Sequence, residues 1–202
     1  MMFRRSLLAV ALLAGSAPAF ATTYTLDPNH TQVAFLWNHY GFSDQIGLFG
    51  KVEGTLDFDQ ADPTKSTVSA TVAMGSVNSN VKKLDGELVG GDYFDAAKFP
   101  TATFKSTRVE KGATPDRLTV SGDLTIHGVT KPATFDVTVK KVGENALRKA
   151  PAAGFAAMTT IKRSDFGITH YLPNVADEVK IMISSEAIES KAFASGPKPA
   201  GK

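Results

Sequence analysis

The stretch DLTIHGVTKPATFDVTV, from Asp123 to Val139, places a run of alternating apolar residues on each side of His127 and Gly128. Such alternation is typical of half-buried β-strands, in which successive side chains point to opposite faces. A two-residue connection between two such strands favours a type I′ turn, which needs positive φ at both central positions. Glycine accepts positive φ freely, and histidine is among the more tolerant of the other residues. The stretch therefore predicts an antiparallel hairpin with His127 at an exposed tip, rather than a buried catalytic base or a metal ligand.

The same period of two recurs from residue 33 to residue 183, as in Val33, Phe35 and Trp37. The opposite faces carry Thr, Lys, Glu, Asp and Ser, which is typical of antiparallel strands with one buried face. The pattern gives about eight strands, and closing them into a barrel would leave no exposed sheet edge. We predict an all-β fold: a single antiparallel eight-stranded barrel.

The alternation is interrupted between residues 77 and 100. Residues 80–100 read NVKKLDGELVGGDYFDAAKFP. A short helix is predicted at about residues 81–88, ended by Gly90 and Gly91. We expect one domain over residues 22–190 with this single helical insertion. Residues 191–202 are rich in Gly, Pro, Lys and small residues and are predicted to form a disordered tail.

The first 21 residues have the pattern of a cleavable export signal. Arg4 and Arg5 precede a short apolar run, and Ala19 and Ala21 form an A-x-A cleavage pattern. The run is too short to span a bilayer as a helix. We therefore expect cleavage after Ala21, a mature chain that begins at Thr22, and a periplasmic protein with no integral membrane span.

Charge and composition exclude several classes of protein. Without Arg4 and Arg5, the 22 basic residues become 20 and balance the 20 acidic ones, so a nucleic-acid partner is not expected. The chain has no cysteine, which excludes disulfides and thiol chemistry. An outer-membrane barrel would have a polar lumen, whereas one face of each predicted strand here is apolar. The apolar face is better suited to the interior of a barrel in water.

The predicted interior can be read in two ways. An eight-stranded barrel is just large enough to be filled by its own side chains or to hold one small ligand. Small inward residues such as Ala70, Ala102, Gly122 and Ala157 fit a tapered packed core equally well as a cavity. If a cavity exists, its aromatic walls are expected to be Phe35, Trp37, Phe58, Phe104, Phe135 and Phe155. Tyr93 and Phe94 would then plug one end as core or form a lid over a ligand.

No arrangement of residues indicates catalysis. The histidines, at positions 30, 39, 127 and 170, lack the spacing of a metal site, and no nucleophile motif occurs. We predict no catalytic residue, no metal and no cofactor. His39 is in phase with Phe35 and Trp37 and is expected to point inward at the mouth of the barrel. Arg163 is expected either to pair with Asp165 at a salt-bridged corner or to act as a hydrogen-bond donor at the cavity rim.

Four ordered segments resemble the YceI-like family. They are HTQVAFLWNHYGFSDQIGLFG (30–50), GGDYFDAAKFPTATFKST (90–107), GDLTIHGVTKPATF (122–135) and GFAAMTTIKRSDFGI (154–168). The resemblance covers about residues 22–189. It implies a lipocalin-like barrel, usually periplasmic, that binds a long isoprenoid or another amphiphilic chain and has no generally established catalytic activity. Glu87 stands where many relatives have histidine, which implies a different preference for the ligand's head group.

The expected function is that of a periplasmic carrier holding one long-chain amphiphile inside the barrel. One alternative is an enzyme acting on such molecules through His39, Arg163 or Asp165. Another is a packed barrel that acts on partner proteins through its outer surface. Dimerisation of the barrel is left open by the sequence.

Overall fold

The computed structural model describes residues 21–196, and the predicted export signal, except for Ala21, lies outside this range. Over the described residues the chain forms one antiparallel sheet of eleven strands with two short helices. The strands are β1 (Thr22–Leu26), β2 (Gln32–His39), β3 (Ser43–Phe49), β4 (Val52–Phe58), β5 (Thr67–Ala73), β6 (Val77–Asn78), β7 (Thr101–Lys111), β8 (Arg117–Ile126), β9 (Val129–Asn145), β10 (Ala150–Lys162) and β11 (Glu178–Glu189). The helices are α1 (Lys82–Leu88) and α2 (Ser190–Ala194), and 3₁₀ turns occur at Pro63–Lys65, Met74–Ser76 and Arg163–Phe166.

Eight of these strands close into a ring in the order β1-β4-β5-β7-β8-β9-β10-β11, and β11 pairs back with β1. The remaining three extend the first part of the barrel. β2 follows β1 and also pairs with β11, β3 leads into β4, and β6 follows β5 after the turn Met74–Ser76. The chain thus interrupts a long strand of the barrel in three places: between β1 and β2, between β3 and β4, and between β5 and β6. The prediction of an antiparallel eight-stranded barrel is confirmed.

The helical insertion predicted at residues 81–88 is α1, which spans Lys82–Leu88. Asp85 anchors its start by accepting hydrogen bonds from the backbone N–H and the hydroxyl of Ser79, both at 2.6 Å. Leu88 is buried, and Phe94, in the turns that follow α1, packs edge-on against Phe35 and Phe49 with ring centroids 5.7 and 5.5 Å away. The insertion therefore covers part of the barrel interior with its own apolar side chains.

The hairpin that joins β8 to β9 has the predicted two-residue loop. Ile126 pairs with Val129, and His127 and Gly128 have φ values of 52° and 73°. The tip, however, is not exposed as expected. The His127 ring is half-buried, packs against Phe99 at 4.7 Å between centroids, and donates from Nδ1 to the carbonyl of Phe166 at 3.2 Å. The loop after β10 and the helical insertion both reach this hairpin and cover it.

The stretch predicted as a disordered tail begins with ordered structure. α2 occupies its first residues, and the ring of Phe193 lies 5.3 Å from the guanidinium of Arg148. Thr25 and Ser190 also share a hydrogen bond between their hydroxyls at 2.9 Å. The domain therefore continues past residue 190, and residues 197–202 lie outside the described part of the chain. Among residues 21–196, no helix is long and apolar enough to cross a membrane.

Candidate functional site: a hollow apolar barrel

The barrel interior contains a cavity of about 280 Å³. This volume is close to the lower end of the range for small-molecule sites, roughly 300 Å³. Its walls are mostly the inward residues of the strands, including Ala70, Ala102 and Ala157, which were predicted to face inward. The interior is therefore hollow, and the packed-core interpretation does not hold.

Two glycines keep large rings against the wall and out of the lumen. Phe35 on β2 lies over Gly47 on β3, its cross-strand partner, and a β-carbon at Gly47 would overlap the ring. Phe104 on β7 lies over Gly122 on β8, although the register partner of Gly122 is Ser106. A β-carbon at Gly122 would overlap both the Phe104 ring and the carbonyl oxygen of Lys105. Only glycine allows a ring to approach the backbone this closely, because it has no β-carbon. The sequence predicted Gly122 as a small inward residue, but pairing each ring with its glycine requires the strand register.

The predicted aromatic walls all line this cavity. Phe35 stacks on Trp37, with centroids 5.3 Å apart and planes inclined by 13°. On other parts of the wall, Phe104 meets Phe135 edge-on at 5.0 Å, and Phe58 meets Phe155 at 5.6 Å. Offset-stacked and edge-on pairs at these distances are favourable for aromatic rings. The rings thus form a large part of the apolar lining.

Tyr93 and Phe94 also line the cavity, at the end covered by the helical insertion. Tyr93 is half-buried, and its ring lies edge-on to His170, with centroids 5.5 Å apart. Burial raises the pKa of the Tyr93 hydroxyl, although the nearby Arg163 charge opposes this effect. The hydroxyl therefore stays protonated at neutral pH and can donate a hydrogen bond.

His39 does not reach the cavity, so the prediction that it points inward is wrong. Its side chain is exposed, and its ring lies 4.8 Å from that of Tyr40. His39 is the last residue of β2, where the backbone forms a bridge with Val175 of the loop before β11. Because the loop occupies the space beyond Trp37, the alternation of the strand ends before His39.

Arg163 lines the cavity and is only 7% exposed. It does not pair with Asp165, which is exposed, so the predicted salt-bridged corner is wrong. Instead its guanidinium donates to three backbone carbonyls of the loop between β10 and β11: Nε to Ala176 at 2.9 Å, Nη1 to Ile168 at 3.2 Å and Nη2 to Val175 at 2.9 Å. Burial lowers the pKa of this guanidinium. Arginine nevertheless stays charged in proteins.

Asp177, an acidic residue whose charge acts on Arg163, makes its hydrogen bonds with Ser164. Asp177 accepts hydrogen bonds from the Ser164 backbone N–H at 2.9 Å and from its hydroxyl at 2.7 Å. Burial raises the pKa of Asp177, but these hydrogen bonds from Ser164 and the charge of Arg163 leave it below its ordinary value. Asp177 therefore holds the turn after β10 as a carboxylate, while carbonyl oxygens hold Arg163.

The sequence analysis missed five hydroxyl residues in the cavity wall: Thr31, Ser66, Thr67, Thr103 and Ser185. The hydroxyls of Thr31 and Ser185 lie 3.2 Å apart, and both residues are buried. Ser185 follows Ile181 and Ile183 in the inward alternation of β11, which is the signal that could have identified it. Glu87, by contrast, is exposed on α1 and lies 3.9 Å from Lys83, so it does not face the cavity.

Side chains that could bind a metal are not clustered in the described part of the chain. Residues 21–196 contain no cluster of three His, Asp or Glu side chains that could hold a metal ion. The walls are apolar apart from a few hydroxyls and Arg163. This arrangement can hold an apolar chain and meet a polar group at one end.

Comparison with known proteins agrees with this architecture. The family model of the YceI-like domain matches residues 24–187. The Salmonella arizonae protein YceI is 36% identical over 183 residues, which is 90% of this chain and 94% of that protein. The crystal structure of Burkholderia cenocepacia BcnA superposes with a TM-score of 0.72 at 27% identity, covering 80% of this chain and 98% of that one. A polyisoprenoid binding domain from Saccharophagus degradans, implicated in plant cell wall breakdown, shares the fold alone, with a TM-score of 0.61 at 17% identity over 84% of this chain and 99% of that one.

Proposed function

The chain belongs to the YceI-like family, and on that premise we propose that its barrel binds one long-chain amphiphilic lipid, with an isoprenoid as the first candidate. The observation that carries the proposal is the hollow apolar barrel, whose cavity is lined by apolar side chains of this chain. Transfer of apolar ligand surface from water into such a lining gives about 25 cal/mol per Å², before the costs of association. The fold shared with a polyisoprenoid binding domain guides the choice of the first probe.

The proposed setting is the periplasm, and the proposed role is that of a carrier or scavenger. The supporting observation is the A-x-A pattern at Ala19 and Ala21 behind a basic and apolar leader. A molecule with a long apolar chain is poorly soluble in water, so moving it through an aqueous compartment requires a protein that shields the chain. The apolar lining of the cavity would shield such a chain from water, and we propose a binding protein rather than an enzyme.

A titration followed by tryptophan fluorescence tests the proposal, because Trp37 is the single tryptophan of the chain and lies in the cavity wall. Geranylgeraniol is the probe. Ala157 lines the cavity, whereas Ala156, the preceding residue, does not, so leucine at each position gives a matched pair. Ala157→Leu is expected to weaken binding by about tenfold, equivalent to 1.4 kcal/mol. Ala156→Leu should bind as the unmodified protein does.

Equal affinities of the two leucine variants would place the probe outside the barrel and contradict the proposal. Absence of any fluorescence change or bound probe at its solubility limit would contradict it more strongly. Thermal unfolding of both variants serves as the control, since overpacking alone can destabilise a barrel.

A second proposed role concerns the outer face of the barrel. Met158, Met182, Ala34 and Leu48 form one row across β10, β11, β2 and β3, and the three larger side chains are exposed. An exposed apolar row is a common site of association, and the balanced charge of the mature chain would not oppose contact between copies. We propose a second copy of this chain as the partner. Sedimentation of the unmodified protein and of Met182→Lys tests this, and identical monomer masses for both would contradict it.

A further inference from the structure

Arg163 is a buried cation at the end of an apolar cavity, and no carboxylate among residues 21–196 accepts its hydrogen bonds. Asp177 is near enough for its charge to act on Arg163, but the hydrogen bonds of Asp177 come from Ser164. Arg163 continues the inward alternation of Phe155, Ala157 and Ile161, which carries its side chain into the barrel. In the described part of the chain it takes part in no salt bridge, and only the carbonyls of Ile168, Val175 and Ala176 accept its hydrogen bonds. Carbonyl dipoles solvate a charge but do not neutralise it. A buried cation in this state is stabilised further by any anion that reaches it.

The hydrogen-bonding capacity of Arg163 is not used up by these contacts. A guanidinium has five N–H donors. The three hydrogen bonds to the loop leave one N–H on Nη1 and one on Nη2 without an acceptor among residues 21–196. These three bonds also hold the plane of the guanidinium in place, so a ligand would find the group already ordered. A guanidinium with free N–H groups on both terminal nitrogens can donate to two oxygens of one acidic group.

Tyr93 supplies a second donor at the same end of the cavity. Its side chain lines the cavity as that of Arg163 does, and the two groups are close enough that each influences the pKa of the other. Its hydroxyl makes no hydrogen bond to another residue in the described range, and it is not sealed away from water or ligand. A protonated tyrosine and a guanidinium both donate, and neither accepts an additional proton at neutral pH. Together they offer donors and a positive charge, and no carboxylate among residues 21–196 is hydrogen-bonded to either of them.

We propose that Arg163 and Tyr93 bind the head group of the ligand and that this head group is acidic, a phosphate or a carboxylate, at the end of an apolar chain. The inference rests on the proposed function, because it concerns the polar end of the same cavity. An alcohol or amide head group can accept one of the available hydrogen bonds, but an anion is also attracted by the buried charge of Arg163. Hydrogen bonds between charged partners are about twice as strong as neutral ones. The cavity therefore selects acidic amphiphiles over neutral ones of equal chain length.

The test compares two probes that share one chain, geranylgeranyl monophosphate and geranylgeraniol, by the fluorescence of Trp37. The monophosphate is expected to bind at least about tenfold more tightly, because charge-assisted hydrogen bonds are stronger than neutral ones. Tyr93→Phe should reduce this preference severalfold, because loss of the hydroxyl weakens binding of the charged monophosphate more than binding of the neutral alcohol. Arg163→Lys keeps the charge but loses the planar fork, and it should reduce the preference further. Inorganic phosphate, which has no chain, should not displace the monophosphate at millimolar concentration.

Each result has a distinct meaning. Equal affinity for both probes overturns the head-group assignment and leaves the proposed lipid function intact, whereas no binding of either probe overturns both. Displacement by micromolar inorganic phosphate would assign the pair to free phosphate and overturn the inference. Loss of the fold in Arg163→Lys is detected by circular dichroism. The Tyr93→Phe comparison then decides alone, and an unchanged preference in that variant contradicts the proposal.

Discussion

The tip of the Phe35 ring lies over Gly47 of the neighbouring strand, in space that a β-carbon at that position would occupy. The ring also stacks on Trp37 and meets Phe49, at 5.3 and 5.1 Å between centroids. This relationship keeps a large side chain on the wall of the barrel and leaves the lumen open. The cavity therefore depends on where glycines lie opposite aromatic rings as much as on the small residues that line it.

Replacing Gly47 by alanine should force the Phe35 ring away from the wall. Overpacking of this kind destabilises by about 1–3 kcal/mol, and the displaced ring should also weaken lipid binding by narrowing the lumen. Urea unfolding measures the first effect, and titration with geranylgeraniol measures the second. Gly50→Ala is the control, since a β-carbon at Gly50 would meet nothing within 4 Å. Equal stability of the two variants would contradict this account of the wall.

Two substitutions in the β8–β9 turn test the effect of its backbone geometry on stability separately from any effect on ligand binding. Gly128 has a φ of 73°, and a β-carbon there would overlap the Phe99 ring, so Gly128→Ala should cost about 2 kcal/mol or more. His127→Asn keeps a residue that tolerates positive φ and loses the hydrogen bond to Phe166, a cost of about 1 kcal/mol. Thermal unfolding distinguishes the two. Because His127 does not line the cavity, lost lipid binding in a folded His127→Asn variant would contradict its role as a turn residue.

The pair Asp27 and His30 should make stability depend on pH. His30 Nδ1 lies 3.0 Å from the buried Asp27 carboxylate, and the hydrogen bond to this carboxylate and its charge raise the pKa of His30, helped by Glu186 and opposed by Arg148. Burial raises the pKa of Asp27, but hydrogen bonds from His30 and the Asn29 backbone leave it below its ordinary value. The contribution of His30 is thus complete below its ordinary pKa of 6.5 and is lost as pH rises through the folded value. That of Asp27 is present above 3.8 and is lost as pH falls through its own folded value.

The stability difference between the unmodified protein and His30→Gln should therefore be larger near pH 5.5 than near pH 8.5. Melting temperatures at the two pH values measure it. In an Asp27→Asn background the same His30→Gln change should lose this pH dependence, because the carboxylate that holds the proton is gone. A difference that is the same at both pH values would argue against an ion pair in solution.

The alternation of side chains in the sequence predicted most of the cavity wall because strand faces follow a period of two wherever a strand continues. Phe155, Ala157 and Arg163 lie on one such face, and all three line the cavity. His39 fails the same rule because β2 ends at that residue, where the loop before β11 bonds to it. The acceptors of Arg163 were beyond prediction, since they are backbone carbonyls of a loop with no periodic pattern. The contact of Phe35 with Gly47 likewise depends on the register of two strands.

The central claim is that the barrel holds a long-chain amphiphile, and native mass spectrometry of the mature protein purified without detergent tests it most directly. The predicted result is a chain that begins at Thr22 and carries extra mass, which denaturing extraction releases as a lipid with a long apolar chain and an acidic head group. A protein that has only the mass of its polypeptide, and still does so after incubation with geranylgeraniol and its monophosphate, would contradict the claim.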